Sequence, residues 1–233
     1  MKPARFDYVA ARSVEEAVAH LDEDARVLAG GQSLVPLLNL RLARPRRIVD
    51  INPIAELGVI RRTNGVLKIG ATVRQAALER SPLVAQHWPL LAQAVRHVGH
   101  AATRSRGTVG GSVAHADPKA ELPVALTALD ATFVTTTRRL KAGEFFTGPL
   151  TTALAPDELL LAIEVAPLPR GARTAFLEYA RTHGDFADAA VAVVVAPGHT
   201  AIATMPAEPV ADSHQQALVA ELTRRALKLA GAA

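Results

Sequence analysis

The chain has 233 residues, 49% of them apolar and 21% charged, with a formal charge of +4. That is a globular composition with enough length for a sizeable core. It contains no cysteine, which excludes disulfides, thiolate metal sites, thiol catalysis and iron–sulfur ligation by its own residues. The arginines are scattered rather than interleaved with aromatics, and the densest group, Arg41, Arg44, Arg46 and Arg47, surrounds Pro45. This reads as a solvated basic face, with no nucleic-acid partner. Met1–Tyr8 has no apolar run of signal-peptide length, and no stretch is long enough for a membrane span. The expected location is cytoplasmic.

In chain order, Phe6–Ala10 reads as a strand. Ser13 then caps a helix, with Glu16 completing a capping box. Arg26–Ala29 is a strand that ends at Gly30-Gly31. Ser33–Leu40 is helical, with Pro36 in its first turn, and Arg47–Ile51 is a strand. This alternation predicts a small parallel unit. Asn64-Gly65 between Leu57–Arg61 and Val66–Gly70 predicts a hairpin, because both turn positions need a positive φ. Helices are expected over Thr72–Arg80, capped by Thr72, over Trp88–His97 and over Glu121–Leu129. Strands are expected over Ala131–Thr136 and Glu158–Ala166. Pro167–Gly171 reads as a linker. Beyond it lie paired strands at Thr174–Arg181 and Ala189–Ala196, a third at Thr200–Thr204, and a closing helix over Gln215–Leu229.

Two stretches stand apart chemically. Gly30-Gly31-Gln32-Ser33 follows a strand and opens a helix. Arg106–Pro123 places three glycines in five residues, then a hydroxyl, a histidine and two carboxylates. Glycine lets successive N–H groups point the same way and admits a phosphate without an intervening Cβ. Each pair alone is an ordinary turn signal, and neither is a Walker or Rossmann sequence. Together they predict two turns that face each other across the phosphates of one dinucleotide. His115, Asp117 and Glu121 have poor spacing for zinc. Asp117-Pro118 reads as a helix start with Asp117 as N-cap, which puts Glu121 near N4. No serine occupies a nucleophile elbow.

Ala29-Gly-Gly-Gln-Ser-Leu-Val-Pro-Leu-Leu, Arg41-Leu-Ala-Arg-Pro, Val49-Asp-Ile-Asn, Ser81-Pro-Leu, the run Arg106–Pro123 and Gly184-Asp-Phe-Ala occur in this order. The sequence thereby resembles the FAD-binding medium subunit of molybdenum hydroxylases of the aerobic carbon monoxide dehydrogenase and xanthine dehydrogenase type. The resemblance covers about residues 1–195. It implies an α+β fold. A two-lobed FAD-binding domain of the PCMH type would span residues 1–168, with lobes of about 1–55 and 56–168. A reduced C-terminal α+β domain would span 169–233. By the same resemblance, Ala29, Gly30, Gly31, Gln32 and Ser33, with Thr108, Val109, Gly110, Gly111 and Ser112, contact the FAD pyrophosphate through their backbone. Glu121 contacts sugar or ribityl hydroxyls, Val98 is an apolar adenine-side contact, and Leu160 approaches the flavin. The implied partners are a molybdopterin-containing large subunit and a small subunit with two [2Fe–2S] clusters. The flavin passes their electrons to an external acceptor.

The sequence departs from the family at Ser105, where relatives carry Asn, and at Glu178, where they often carry a Lys near the flavin. The region from Ala203 to Ser213 is also short for the family. Two further readings therefore stay open. One is a stand-alone FAD-dependent tailoring oxidoreductase, with His115 and His183 as base candidates. The other is a scaffold remnant without redox function, against which the intact glycine turns argue.

Overall fold

A computed structural model describes residues 2–207 and 212–231. Glu208–Ala211, within the stretch read above as short for the family, lie outside the described residues. The first lobe holds strand β1 (Asp7–Ala10), helix α1 (Val14–Ala19), β2 (Ala25–Leu28), α2 (Leu34–Asn39) and β3 (Arg47–Asp50). The three strands form an all-parallel sheet in the order β1-β3-β2. Ser13 caps α1 as expected, accepting from the Glu16 N–H at 3.1 Å. Ala17, Val49, Ile51 and Ile54 pack the sheet against its helices.

The second lobe opens with a 3₁₀ turn at Ala55–Gly58 and the hairpin β4 (Ile60–Thr63) and β5 (Val66–Gly70). Its turn residues Asn64 and Gly65 have φ of 52° and 84°, as the hairpin requires. Five helices follow: α3 (Gln75–Arg80), α4 (Pro82–His87), α5 (Pro89–Val95), α6 (Ala101–Arg106) and α7 (Val109–His115). Next come α8 (Glu121–Ala128), β6 (Thr132–Thr135), β7 (Arg139–Lys141), α9 (Ala142–Phe145), β8 (Phe146–Gly148), β9 (Thr151–Thr152) and β10 (Leu160–Val165). The main sheet is antiparallel, ordered β4-β5-β10-β6-β7. Leu159 packs into the first lobe's core while Leu160 and Ile163 enter that of the second, so the approach to β10 joins the lobes.

The C-terminal part is a meander of β11 (Arg173–Tyr179), β12 (Ala189–Ala196) and β13 (His199–Met205), followed by α10 (Ser213–Leu229). The apolar run of β12 shows no alternation because both of its faces are covered. Helices α5 and α8 lie on one side and α10 on the other.

Several local expectations are corrected. Thr72 does not cap a helix. Its N–H donates to the Leu57 carbonyl at 2.9 Å, and α3 starts only at Gln75. The chain is held extended there by an antiparallel bridge between Arg74 and Thr108. The helix expected over Trp88–His97 forms as Pro89–Val95 with Trp88 as its N-cap, and Trp88 Nε1 donates to Ala166 O at 2.8 Å. Asp117 makes an Asx turn, accepting from the Lys119 N–H at 2.9 Å, and Ala120 is the N-cap of α8. Glu121 is therefore the first residue of its helix.

Candidate functional site

Gly31 has a φ of +72°, which a side chain rarely tolerates. The turn it forms leaves four successive N–H groups, those of Gly30, Gly31, Gln32 and Ser33, without an acceptor among the described residues. The Ser33 hydroxyl makes no capping bond either. A row of unpaired donors at a strand-to-helix turn is a site for an oxyanion. The second glycine stretch is built differently from expectation. Thr108 caps α7, accepting from the Gly111 N–H at 3.1 Å, and the two glycines form the first turn of that helix. Neither has a positive φ. Their small size serves close approach: a Cβ on Gly110 would lie 2.6 Å from Ala71 Cα, and one on Gly111 2.7 Å from Thr108 Oγ1.

The N–H groups of Val109, Gly110 and Ser112 are spent on the carbonyls of Val73, Ala71 and Thr108. Among these five residues, in the described chain, Thr108 alone keeps its N–H free. The second stretch thus offers a close glycine surface and the Ser112 hydroxyl rather than a row of N–H groups.

The two stretches do face each other. A Cβ on Gly30 would lie 2.6 Å from Arg106 O and 2.7 Å from Gly107 Cα. A hydrogen-bonded strut holds them in register. Asn52 Nδ2 donates to Ala29 O at 2.8 Å and to Asp50 Oδ1 at 2.6 Å. Arg74 donates through Nη2 to Asn52 Oδ1 at 2.7 Å and through Nη1 to Arg106 O. One guanidinium therefore spans the two lobes. In the sequence Asn52 stands out only within the Val49-Asp-Ile-Asn match and Arg74 carries no signal, because nothing local shows that it bridges.

Between the lobes lies a cleft of about 870 Å³. Ala29, Gly30, Gly31, Gln32, Ser33, Val98, Thr108, Gly110, Gly111, Ser112, Glu121 and Leu160 all line it. Val109 does not: its side chain is in the core and its N–H is taken. Gln75, Glu158 and the loop Gly184–Phe186 line it as well. Glu158 is pulled upward by burial, but Arg138 and the hydroxyls of Thr135 and Thr137 outweigh this and hold it at about 2. Its second oxygen accepts from the Ala155 N–H at 3.0 Å, which fixes the loop forming that wall.

Burial raises the Glu121 carboxyl to about 7, and Glu178 and Asp117 add to the shift. Its own backbone N–H and His97 oppose it. Glu178 is not part of the cleft lining. It pairs with His97 Nδ1 at 3.0 Å, and this bond raises the imidazole's pKa. The other Glu178 oxygen, Oε2, is buried without a hydrogen-bond partner among the described residues. His115 lines the cleft at the end of α7, whereas His183 packs edge-on against His100. Ser105 turns its hydroxyl to Ala102 O at 2.7 Å. Among the described residues, no group of three His, Asp or Glu is placed to hold a metal.

Residues 4–169 match the family model "FAD binding domain in molybdopterin dehydrogenase". The chain belongs to this family. Its cofactor is accordingly FAD, and the free donors of the first turn fit that molecule's pyrophosphate. Among relatives, the 6-hydroxypseudooxynicotine dehydrogenase complex subunit alpha of Paenarthrobacter nicotinovorans is 44% identical over 203 residues. That match covers 84% of this chain and 68% of the relative. The carbon monoxide dehydrogenase medium chain of Hydrogenophaga pseudoflava is 40% identical over 202 residues, 84% and 70% of the two chains. A solved carbon monoxide dehydrogenase from that organism superposes with a TM-score of 0.93 at 33% identity, over 99% of this chain and 98% of the other. Quinoline 2-oxidoreductase from Pseudomonas putida 86 gives 0.91 at 33% identity, over 100% and 99%. The chain is an FAD-dependent oxidoreductase subunit of the molybdenum hydroxylase family. No helix among the described residues is long and apolar enough to cross a membrane.

Proposed function

We propose that this chain carries electrons from iron–sulfur centres on a partner subunit to an external acceptor, as one part of a cytoplasmic molybdenum hydroxylase. Its partners in this reading are a molybdopterin-containing large subunit and a small subunit with two [2Fe–2S] clusters. The absence of cysteine leaves cluster binding to such a partner. The observation that carries the reading is the row of unpaired N–H groups at Gly30–Ser33, set against the glycine face of α7 across the cleft.

In this arrangement Gly30–Ser33 and the hydroxyls of Ser33 and Ser112 hold the pyrophosphate. Glu121 meets sugar or ribityl hydroxyls at the start of α8. Val98 and Leu160 supply apolar walls that keep water from the rings. Bound FAD supplies the capacity to accept electrons singly and release them in pairs. Residues 1–168 form the cofactor domain in this reading, and 169–233 the C-terminal domain that closes the cleft with the Gly184–Phe186 loop.

Co-expression of this chain with candidate large and small subunits tests the proposal. The expected result is a complex in which substrate bleaches the flavin absorbance, and in which removal of this chain stops acceptor reduction while substrate still reduces the clusters. Full acceptor reduction without this chain would refute it.

A further inference from the structure

Gln75 is 4% exposed and lines the cleft. Its backbone is fixed, since its N–H donates to Gly107 O at 2.9 Å. Its side chain is not satisfied. Oε1 is fully buried without a partner, and it occupies the space beside Gly107, where a Cβ would lie 2.5 Å away. Nε2 makes no hydrogen bond among the described residues but retains accessible surface. At this position the accessible space is the cleft.

Buried side-chain amides are almost always hydrogen-bonded, because each orphaned group loses its water without compensation. An unpaired amide held rigidly at the wall of a binding cleft is the signature of a group whose partner is the ligand. The place is specific: Gln75 follows Arg74, whose guanidinium ties the two lobes. It packs against Gly107, and a Cβ on Gly30 would touch Gly107 as well. The unpaired Gly30 N–H belongs to this same crossing.

We propose that Gln75 is a cofactor-contacting residue, whose side-chain amide donates to the FAD pyrophosphate where the two glycine segments cross. The proposal rests on the reading of this cleft as the FAD site. Glutamine suits the task. It is a neutral donor that adds no charge beside Arg74, and with Oε1 set against Gly107 it is Nε2, the donor, that keeps accessible surface.

The test titrates flavin-stripped chain with FAD, following the flavin absorbance change, alongside thermal melting of the apo form. Gln75→Leu is expected to raise the FAD dissociation constant about tenfold or more, while the apo melting temperature stays level or rises. Gln75→Glu is expected to bind more weakly still at neutral pH, because it sets a carboxylate against phosphate, and to recover part of the loss on acidification. A merely structural glutamine gives the opposite pattern, a lower apo melting temperature with FAD affinity retained. Leu-variant affinity within about twofold of wild type would overturn the assignment while leaving the cleft reading intact. Failure of the wild-type chain to take up FAD would overturn both.

Discussion

Replacing Arg74 by methionine keeps the aliphatic stem and removes the guanidinium that joins the lobes. Two charge-assisted hydrogen bonds are lost, one to Asn52 Oδ1 at 2.7 Å and one to Arg106 O. Such bonds contribute roughly 1.5–3 kcal/mol each, and the half-buried position of Arg74 argues for the lower end. The coupling between the glycine segments should therefore weaken by about 3 kcal/mol. FAD binding requires both segments in register. If about 2 kcal/mol of that registration must be supplied on binding, the FAD dissociation constant rises about thirtyfold. The assay is an FAD titration of flavin-stripped chain with urea unfolding in parallel. Arg61→Met, at an exposed site, serves as the control. Asn52→Ala should reproduce the loss, and combining it with Arg74→Met should add little, since both break one strut. Arg74→Met affinity within twofold of wild type, or full additivity with Asn52→Ala, would refute the reasoning.

Gly30→Ala places a Cβ 2.6 Å from Arg106 O, so the lobes must separate; FAD affinity should fall at least tenfold, with about 1–3 kcal/mol lost in urea unfolding. Gly111→Val drives a side chain into Thr108 Oγ1 and breaks the cap of α7, so the purified variant should be colourless; full flavin occupancy would contradict this role. Burial raises Glu121 from 4.5 to about 7, so the folded chain holds a proton there that the unfolded chain has released. The resulting stability is complete below about pH 4.5 and is lost as pH rises to about 7, to the extent of about 3 kcal/mol. Glu121→Gln should flatten this decline in urea midpoints between pH 5 and pH 8, and equal declines in both proteins would rule the assignment out.

The parallel lobe, the Asn64-Gly65 hairpin and the C-terminal meander were legible because local chemistry and period agree there. So was the facing of the two glycine segments. What escaped was set by contacts remote in sequence. Thr72 has the residue type of a cap, yet its N–H belongs to Leu57. Helix α7 contains two adjacent glycines, a poor helical sequence; Ala71 and Thr108 leave no room there for side chains, and the Thr108 cap starts the helix. At the site, the residue types that hold a phosphate were visible, whereas the distribution of donors was not. The Val109, Gly110 and Ser112 N–H groups are claimed by neighbouring backbone. Arg74 and Gln75 carry no motif at all, and only the fold brings them to the crossing of the lobes.

The central claim is that one dinucleotide spans the cleft from the Gly30–Ser33 turn to Glu121 and Leu160. Titration of the flavin-stripped chain with FAD and with FMN, read by isothermal calorimetry, tests it most directly. The account predicts one FAD per chain, and FMN at least a hundredfold weaker because it lacks the pyrophosphate and adenosine that the first turn holds. Equal affinity for the two flavins, or no heat with FAD, would contradict it.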